Sequence, residues 1–314
     1  MTARTEPLDL EATLEILDGI VYGDLFDCAV GLDEVVRFSR RAVGHQEATE
    51  TLASPSIGRT IVRTDEYVTL AGREELVERR RKTRARALRL RRRAERTSLV
   101  LGMVPFVRGI ILTGSVAAEA ATEDADIDLM IIVAPSRLAF VFLVLGGFSR
   151  LTRRRFYCSN YYISEDHLLI ERQNLFIARE IAQARPLDKD AERFFEINDW
   201  VREYLPNASP SQVRRGQRRR PNGLQRLLEF PFRGRFGRWC ESIASRTARK
   251  RIDEHYRGAR EGQRTKIVDR FDSDHELRFH HHPELQGLRK RYADHRSRLE
   301  NDLRMAIDET EAAR

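Results

Sequence analysis

The stretch Ile111-Leu-Thr-Gly-Ser-Val-Ala-Ala-Glu-Ala-Ala-Thr-Glu-Asp-Ala-Asp-Ile-Asp-Leu-Met-Ile-Ile-Val133 decides how the rest of the chain is read. An apolar strand ends at Thr113, and Gly114 follows it, a residue that lets the backbone turn sharply and approach a ligand closely. Ser115 opens a helix of small residues, Val116 to Ala121, whose first N–H groups and positive dipole end suit a phosphate. Asp126 and Asp128 are two apart at the start of the next apolar strand, so their side chains leave the same face. Two carboxylates so placed suit Mg²⁺ or Mn²⁺ and, with the cation, a triphosphate. Asp124 makes a second Asp-x-Asp with Asp126. The pair Asp126 and Asp128 is preferred because Asp128 opens the strand and is followed by Leu-Met-Ile-Ile. An exposed turn followed by an acidic loop is the competing interpretation, and the apolar strands on both sides weigh against it.

Outward from this stretch, residues 101–187 alternate strand and helix. Val107 to Thr113 and Ile127 to Val133 are strands, Ser136 caps an apolar helix running to Phe148, and Phe156 to Ile163 is a third strand. Asn174 to Ala184 is a helix stopped by Pro186.

The order strand, Gly-Ser, helix, short spacer and Asp-x-Asp in an apolar strand resembles the nucleotidyltransferase signature of the DNA polymerase β superfamily. The resemblance covers about residues 100–187 and implies a nucleoside triphosphate substrate, Mg²⁺ or Mn²⁺ as cofactor, and an acceptor that is a protein side chain, an RNA end or a small molecule. It also implies catalytic Asp126 and Asp128, nucleotide-binding Gly114 and Ser115, and a third carboxylate on a neighbouring strand. That strand reads Phe156-Tyr-Cys-Ser-Asn-Tyr-Tyr-Ile163 and has no acid. Asn160 is the candidate for the position, with an amide oxygen able to ligate Mg²⁺ but no charge and no basicity. Glu165, Asp166 and Glu171 are the acids that the following loop offers in its place. The whole chain also looks like a group of bacterial proteins with a winged helix ahead of such a core, on the segments Cys158-Ser-Asn-Tyr-Tyr-Ile163, Asn198-Asp-Trp200 and Leu277-Arg-Phe-His280.

Ahead of the core, residues 8–72 have the pattern of a winged helix. Asp9 caps a helix with Leu10, Leu14, Leu17 and Val21 on one face. A second helix starts at Leu32, a third covers His45 to Leu52, and Thr60-Ile-Val-Arg63 and Tyr67-Val-Thr-Leu70 flank a turn. The third helix carries Glu47 and Glu50 and no Arg or Lys, which favours packing or protein contact over DNA reading. Residues 73–97 form one helix holding eleven basic residues between Arg79 and Arg96. Such a face can grip RNA or a triphosphate, or simply be solvated.

The expected architecture is therefore α+β: a winged-helix-like unit at 1–72, a basic connecting helix at 73–100, a nucleotidyltransferase core at 101–187 and a helical region at 188–314. In the last region Phe194, Ile197, Trp200 and Val201 share a face. Further helices are expected near 224–230, 236–256 and 285–309. His280-His-His282 and the Arg-rich run Arg214 to Arg220 are weaker metal and phosphate candidates.

Composition sets outer limits. Of 314 residues, 41% are hydrophobic, which excludes a disordered chain, and 33% are charged with a balance of +8. Lys occurs only at Lys82, Lys189, Lys250, Lys266 and Lys290, so the positive charge is mostly guanidinium. That composition suits phosphate partners, and a GC-rich coding sequence would also produce it. Cys28, Cys158 and Cys240 are far apart, which predicts neither a disulfide framework nor a zinc site. No apolar signal core follows Met1, and the longest apolar run, Leu138 to Phe148, falls short of a bilayer span. Together these predict a cytoplasmic protein without a membrane span. Besides the nucleotidyltransferase, the sequence leaves open a non-catalytic nucleotide-binding regulator and an RNA-binding protein using the Arg-rich helix.

Overall fold

The computed structural model describes residues 9–151, 157–208, 223–258, 270–273, 275–278 and 284–312. The chain is α+β with two sheets. The N-terminal part runs α1 (Leu10–Leu25), β1 (Val30–Gly31), α2 (Leu32–Arg37), α3 (His45–Leu52), β2 (Ile61–Arg63) and β3 (Tyr67–Leu70). Its strands form an antiparallel sheet in the order β1-β3-β2. Asp9 caps α1, its Oδ1 accepting from the N–H groups of Glu11 and Ala12 at 3.1 and 3.2 Å. The helix is buried on more than its expected stripe, since Thr13, Ile16, Asp18 and Ile20 are covered as well as Leu14, Leu17 and Val21.

Then α4 (Glu75–Leu101) leads into the large sheet, whose order is β7-β4-β5-β6-β9-β8. Its strands are β4 (Val107–Thr113), β5 (Asp128–Val133), β6 (Cys158–Ser164), β7 (Arg185–Pro186), β8 (Arg270–Ser273) and β9 (Glu276–Arg278). Only β5 and β6 pair in parallel; the other neighbours are antiparallel. Helix α5 (Gly114–Ala117) follows β4, α6 (Leu138–Leu151) links β5 to β6, and α7 (Leu175–Gln183) precedes β7.

Strand alternation splits the sheet's side chains between two cores. Ile110, Leu112, Leu129, Ile131 and Val133 pack with Ala87, Ala94 and Leu101 of α4 and Leu138, Val141 and Leu145 of α6. Ile111, Met130 and Ile132 pack on the other side with α7 and with α8 (Glu192–Ile197) and α9 (Val201–Tyr204). Both faces are thus covered, which is why these central strands read as continuous apolar runs.

Residues beyond 188 are shared among these layers. Helix α10 (Gly223–Glu229) packs at the start of β4, α11 (Gly234–Gly258) lies along α6, and α12 (Glu284–Ala312) lies along α1. Among the described residues, every buried apolar cluster that contains a residue beyond 188 also contains residues before it. Helix α6 starts at Leu138 rather than behind a capping Ser136, which has a positive φ of 55°. Its first N–H groups are satisfied instead by Glu241 of α11, whose carboxylate accepts from Ala139 and Phe140 at 2.8 and 3.1 Å. Asn198 is a buried connector. Its side chain accepts from Ile170 N–H and Trp200 Nε1–H and donates to the carbonyls of Leu168 and Phe194. The Asn198-Asp-Trp200 segment therefore has a folding role.

Candidate nucleotide and metal site

The register of three adjacent strands brings the candidate residues together. Thr113, the last residue of β4, pairs with Asp128, the first of β5, and Asp128 pairs with Cys158, the first of β6. The site therefore sits at one end of the sheet. Gly114 turns there with φ +66°, a conformation that L side chains rarely adopt. A Cβ on this residue would also overlap Oδ2 of Asp128, so backbone conformation and space both favour glycine. The helix behind it is shorter than expected, one turn from Gly114 to Ala117. Ser115 is half-buried in that turn.

Asp126 is exposed just before β5, Ile127 is buried, and Asp128 is half-buried. This alternation puts both carboxylates on the side opposite Ile127. Burial, with a smaller contribution from the nearby charge of Asp126, pushes the Asp128 carboxyl up to about 6. A poorly solvated carboxylate with a second acid two residues away forms a site that a hard cation would stabilise.

Asn160 reaches the same point through a β-bulge. The register steps by one residue between Leu129–Ser159 and Met130–Tyr161, leaving Asn160 as the extra residue. Its side chain is buried and its Nδ2 donates to Asp128 Oδ1 at 3.0 Å. The loop acids lie elsewhere. Glu165 follows β6, and its N–H bonds the carbonyl of Val133, the last residue of β5. With about 3.3 Å per strand residue, that end of β5 is roughly 16 Å from Asp128. Glu165 stands there 3.9 Å from Arg108 and lines a cavity of about 540 Å³ with Arg108, Arg193 and Asp188. Asp166 is held by Ser164 and His167 at the same far end, and Glu171 is exposed in the loop beyond. Strand direction accounts for the outcome, because a loop after β6 emerges at the end opposite a residue that opens β5.

Sequence reading missed the support behind Gly114. Glu119, at φ +57°, accepts from Arg84 Nε at 2.9 Å, Arg91 Nη1 at 3.2 Å and Arg185 Nη2 at 3.0 Å. Arg185 Nε also donates to the carbonyl of Ala117, and the buried Arg80 donates to that of Ala118 and to Glu34. The basic helix thus holds the turn from behind. Among the described residues, at least seven of its eleven basic residues, Arg79, Arg80, Arg81, Lys82, Arg84, Arg86 and Arg91, form ion pairs. A single acid in a run of small residues, Glu119, was the one signal available in the sequence.

The donors present fit Mg²⁺ or Mn²⁺: two carboxylates and a neighbouring amide, all hard, and no thiolate or imidazole among them. The one cluster of three His, Cys, Asp or Glu side chains with ligand spacing among the described residues is a different one. It joins Asp166, His167 and His275 at the far end of β6. The two imidazoles are stacked there at 3.5 Å between centroids. The histidines His280 to His282 and the run Arg214 to Arg220 lie outside the described residues. No helix among the described residues is long and apolar enough to cross a membrane. No protein-family model, curated protein or solved structure matches this chain.

Proposed function

We propose that residues 101–187 are a nucleotidyltransferase-type core that binds a nucleoside triphosphate with a divalent cation and transfers its nucleoside monophosphate to an acceptor. The observation that carries this proposal is the packing of Gly114 on Asp128. A left-handed turn where an added Cβ would meet a carboxylate oxygen stands against an Asp128 of raised pKa, with Asp126 beside it. In this proposal Gly114 and Ser115 face the phosphates, while Asp126 and Asp128 hold the cation. The bound cation would neutralise the phosphates and stabilise the charge developing on the leaving group. The acceptor oxygen bonds to the α-phosphorus as the bond to the bridging oxygen breaks, and pyrophosphate leaves with that electron pair. The acceptor's proton passes to water, because Asn160 cannot take it.

A non-catalytic nucleotide sensor is the second reading, and Asn160 favours it. The amide sits on Asp128 where the superfamily resemblance implies a third carboxylate, and the loop acids are at the opposite end of the sheet. The helix, strand, helix, helix, hairpin order of residues 10–70 supports a winged-helix-like unit in either case. The acids of its third helix are exposed, with Glu47 3.5 Å from Arg41 and Glu50 accepting from Gln46.

Triphosphates labelled at the α- or the γ-phosphate, incubated with Mg²⁺ and the protein in lysate and alone, separate the readings. Transfer of α-label to an acceptor supports the enzyme, and metal-dependent binding without turnover supports the sensor. If calorimetry finds equal metal-dependent affinity in wild type and Asp128→Asn, both fail.

A further inference from the structure

We infer that α10, the turn at Phe230–Phe232 and the first half of α11 form a surface that docks on an anionic lipid bilayer. Large apolar side chains are concentrated and exposed on this segment. Leu227 is 68% exposed, Phe230 69%, Phe236 53% and Trp239 58%. On α11 the positions Phe236, Trp239 and Ile243 share one stripe, while Gly237, Ala244 and Ala248 face inward and are buried. The rings of the stripe pack on one another. Phe232, Phe236 and Trp239 stack in sequence at 6.0 and 5.8 Å between ring centroids, and Phe232 is anchored edge-on against the buried Phe106.

Charge selects the occupant. Between Gly223 and Arg246 the only acids are Glu229 and Glu241, and both are used internally. Glu229 is buried on Arg108 and the Phe106 N–H, and Glu241 caps α6. Arg226, Arg233, Arg235, Arg238 and Arg246 are exposed. The outer side of the segment is therefore aromatic, aliphatic and cationic, with no outward carboxylate. That is the composition of a helix lying in a lipid headgroup layer, where Trp settles at the boundary and Arg meets acidic headgroups. Contact would run parallel to the bilayer, in keeping with the lack of a spanning helix among the described residues.

The full chain is tested against vesicles of phosphatidylcholine and against equimolar phosphatidylcholine and phosphatidylserine. It should sediment with the mixed vesicles and not with phosphatidylcholine alone. The only other tryptophan, Trp200, is buried, so a blue shift of emission on adding mixed vesicles reports Trp239. Trp239→Ser should abolish the shift, and Phe230→Ser and the pair Arg235→Glu with Arg238→Glu should each weaken sedimentation about tenfold or more. All are exposed positions, so thermal unfolding should be unchanged, which separates lost docking from lost fold. Several outcomes overturn the inference: no sedimentation with either vesicle, equal sedimentation with both, or variants that sediment like wild type. A lipid-free dimer that Phe230→Ser dissociates would assign the surface to a second copy of this chain instead.

Discussion

Asp128 joins two residues that are distant in sequence and one that is near. Its Oδ1 accepts from Asn160, its Oδ2 fills the space that a side chain at position 114 would need, and Asp126 raises its pKa. The pKa has a consequence for stability. The carboxyl titrates at about 6 when folded, against 3.8 as its ordinary value. The folded state therefore holds this proton more tightly, and stability falls as pH rises from about 4 to about 6. Asp128→Asn removes that penalty. In metal-free buffer the variant should gain about 1–2 kcal/mol over wild type at pH 7 and nothing at pH 4, measured by urea unfolding. A variant less stable than wild type at pH 7 would contradict the burial of charge at this site. Gly114→Ala should cost about 1–3 kcal/mol, from the positive φ and the overlap with Asp128, and should abolish metal-dependent nucleotide binding. Calorimetry showing wild-type affinity would remove Gly114 from the phosphate site. On the proposed nucleotidyltransferase reading, Asn160→Asp adds a carboxylate beside Asp128 and should raise transfer or hydrolysis about 10²–10⁴-fold if lack of a base limits turnover. Loss of activity from an active wild type would instead give the amide a positioning role of its own.

At the scale of elements, α4 shows how a dense run of charge can serve the fold. Arg80 is buried between Glu34, Cys28 and the carbonyl of Ala118, and Arg84 and Arg91 converge with Arg185 on Glu119. Removing one member of a buried pair strands the other, so Arg80→Met should destabilise by about 3 kcal/mol, whereas Arg89→Ala should stay within about 0.5 kcal/mol. Chemical denaturation of the two variants distinguishes a buttress from a solvated face. RNA gripped by Arg89, Arg92 and Arg96 would give a slope of log affinity against log salt near −2, at about −0.7 per contact with a single strand. A much steeper slope would mean that the paired guanidiniums also exchange their partners for phosphates.

Across the whole molecule, a buried ion pair joins the N-terminal unit, the core and the last helix. Arg179 of α7 donates to Asp18 of α1, stacks over Tyr22 at 4.2 Å, and Tyr292 of α12 donates to the other oxygen of Asp18. Leu288, Tyr292, Leu299 and Leu303 complete the apolar contact of α12 with the N-terminal unit. Asp18→Ala leaves the Arg179 charge unpaired in a dry site and should cost about 3–5 kcal/mol. Because three regions share the pair, wild-type urea unfolding should follow one transition by far-UV circular dichroism and by tryptophan fluorescence. Two separated transitions in wild type would show that the N-terminal unit and the core unfold independently.

Local pattern alone determined much of this protein. Periodicity located the helices of the N-terminal unit and the central strands, and Asp9 and Asn174 were readable as caps because a cap acts on N–H groups two or three residues away. The turn at Gly114 and the strand that Asp128 opens were legible for the same reason, since each is set by residues next to it in sequence. Tertiary structure decided whatever depends on pairing between distant segments. The two-residue strands β1 and β7 have too few positions to show a period. The bulge that aims Asn160 at Asp128 exists only as a register between two strands. The loop acids were offered as ligands because sequence distance says nothing about which end of a sheet a loop leaves from. The charge on α4 could equally be solvated until Glu34, Glu66 and Glu119 were brought to it, and only the fold turns Glu229 and Glu241 inward. Charge and hydrogen bonding act through space over a few ångströms, so which carboxylate neutralises which guanidinium is settled only when the chain has folded.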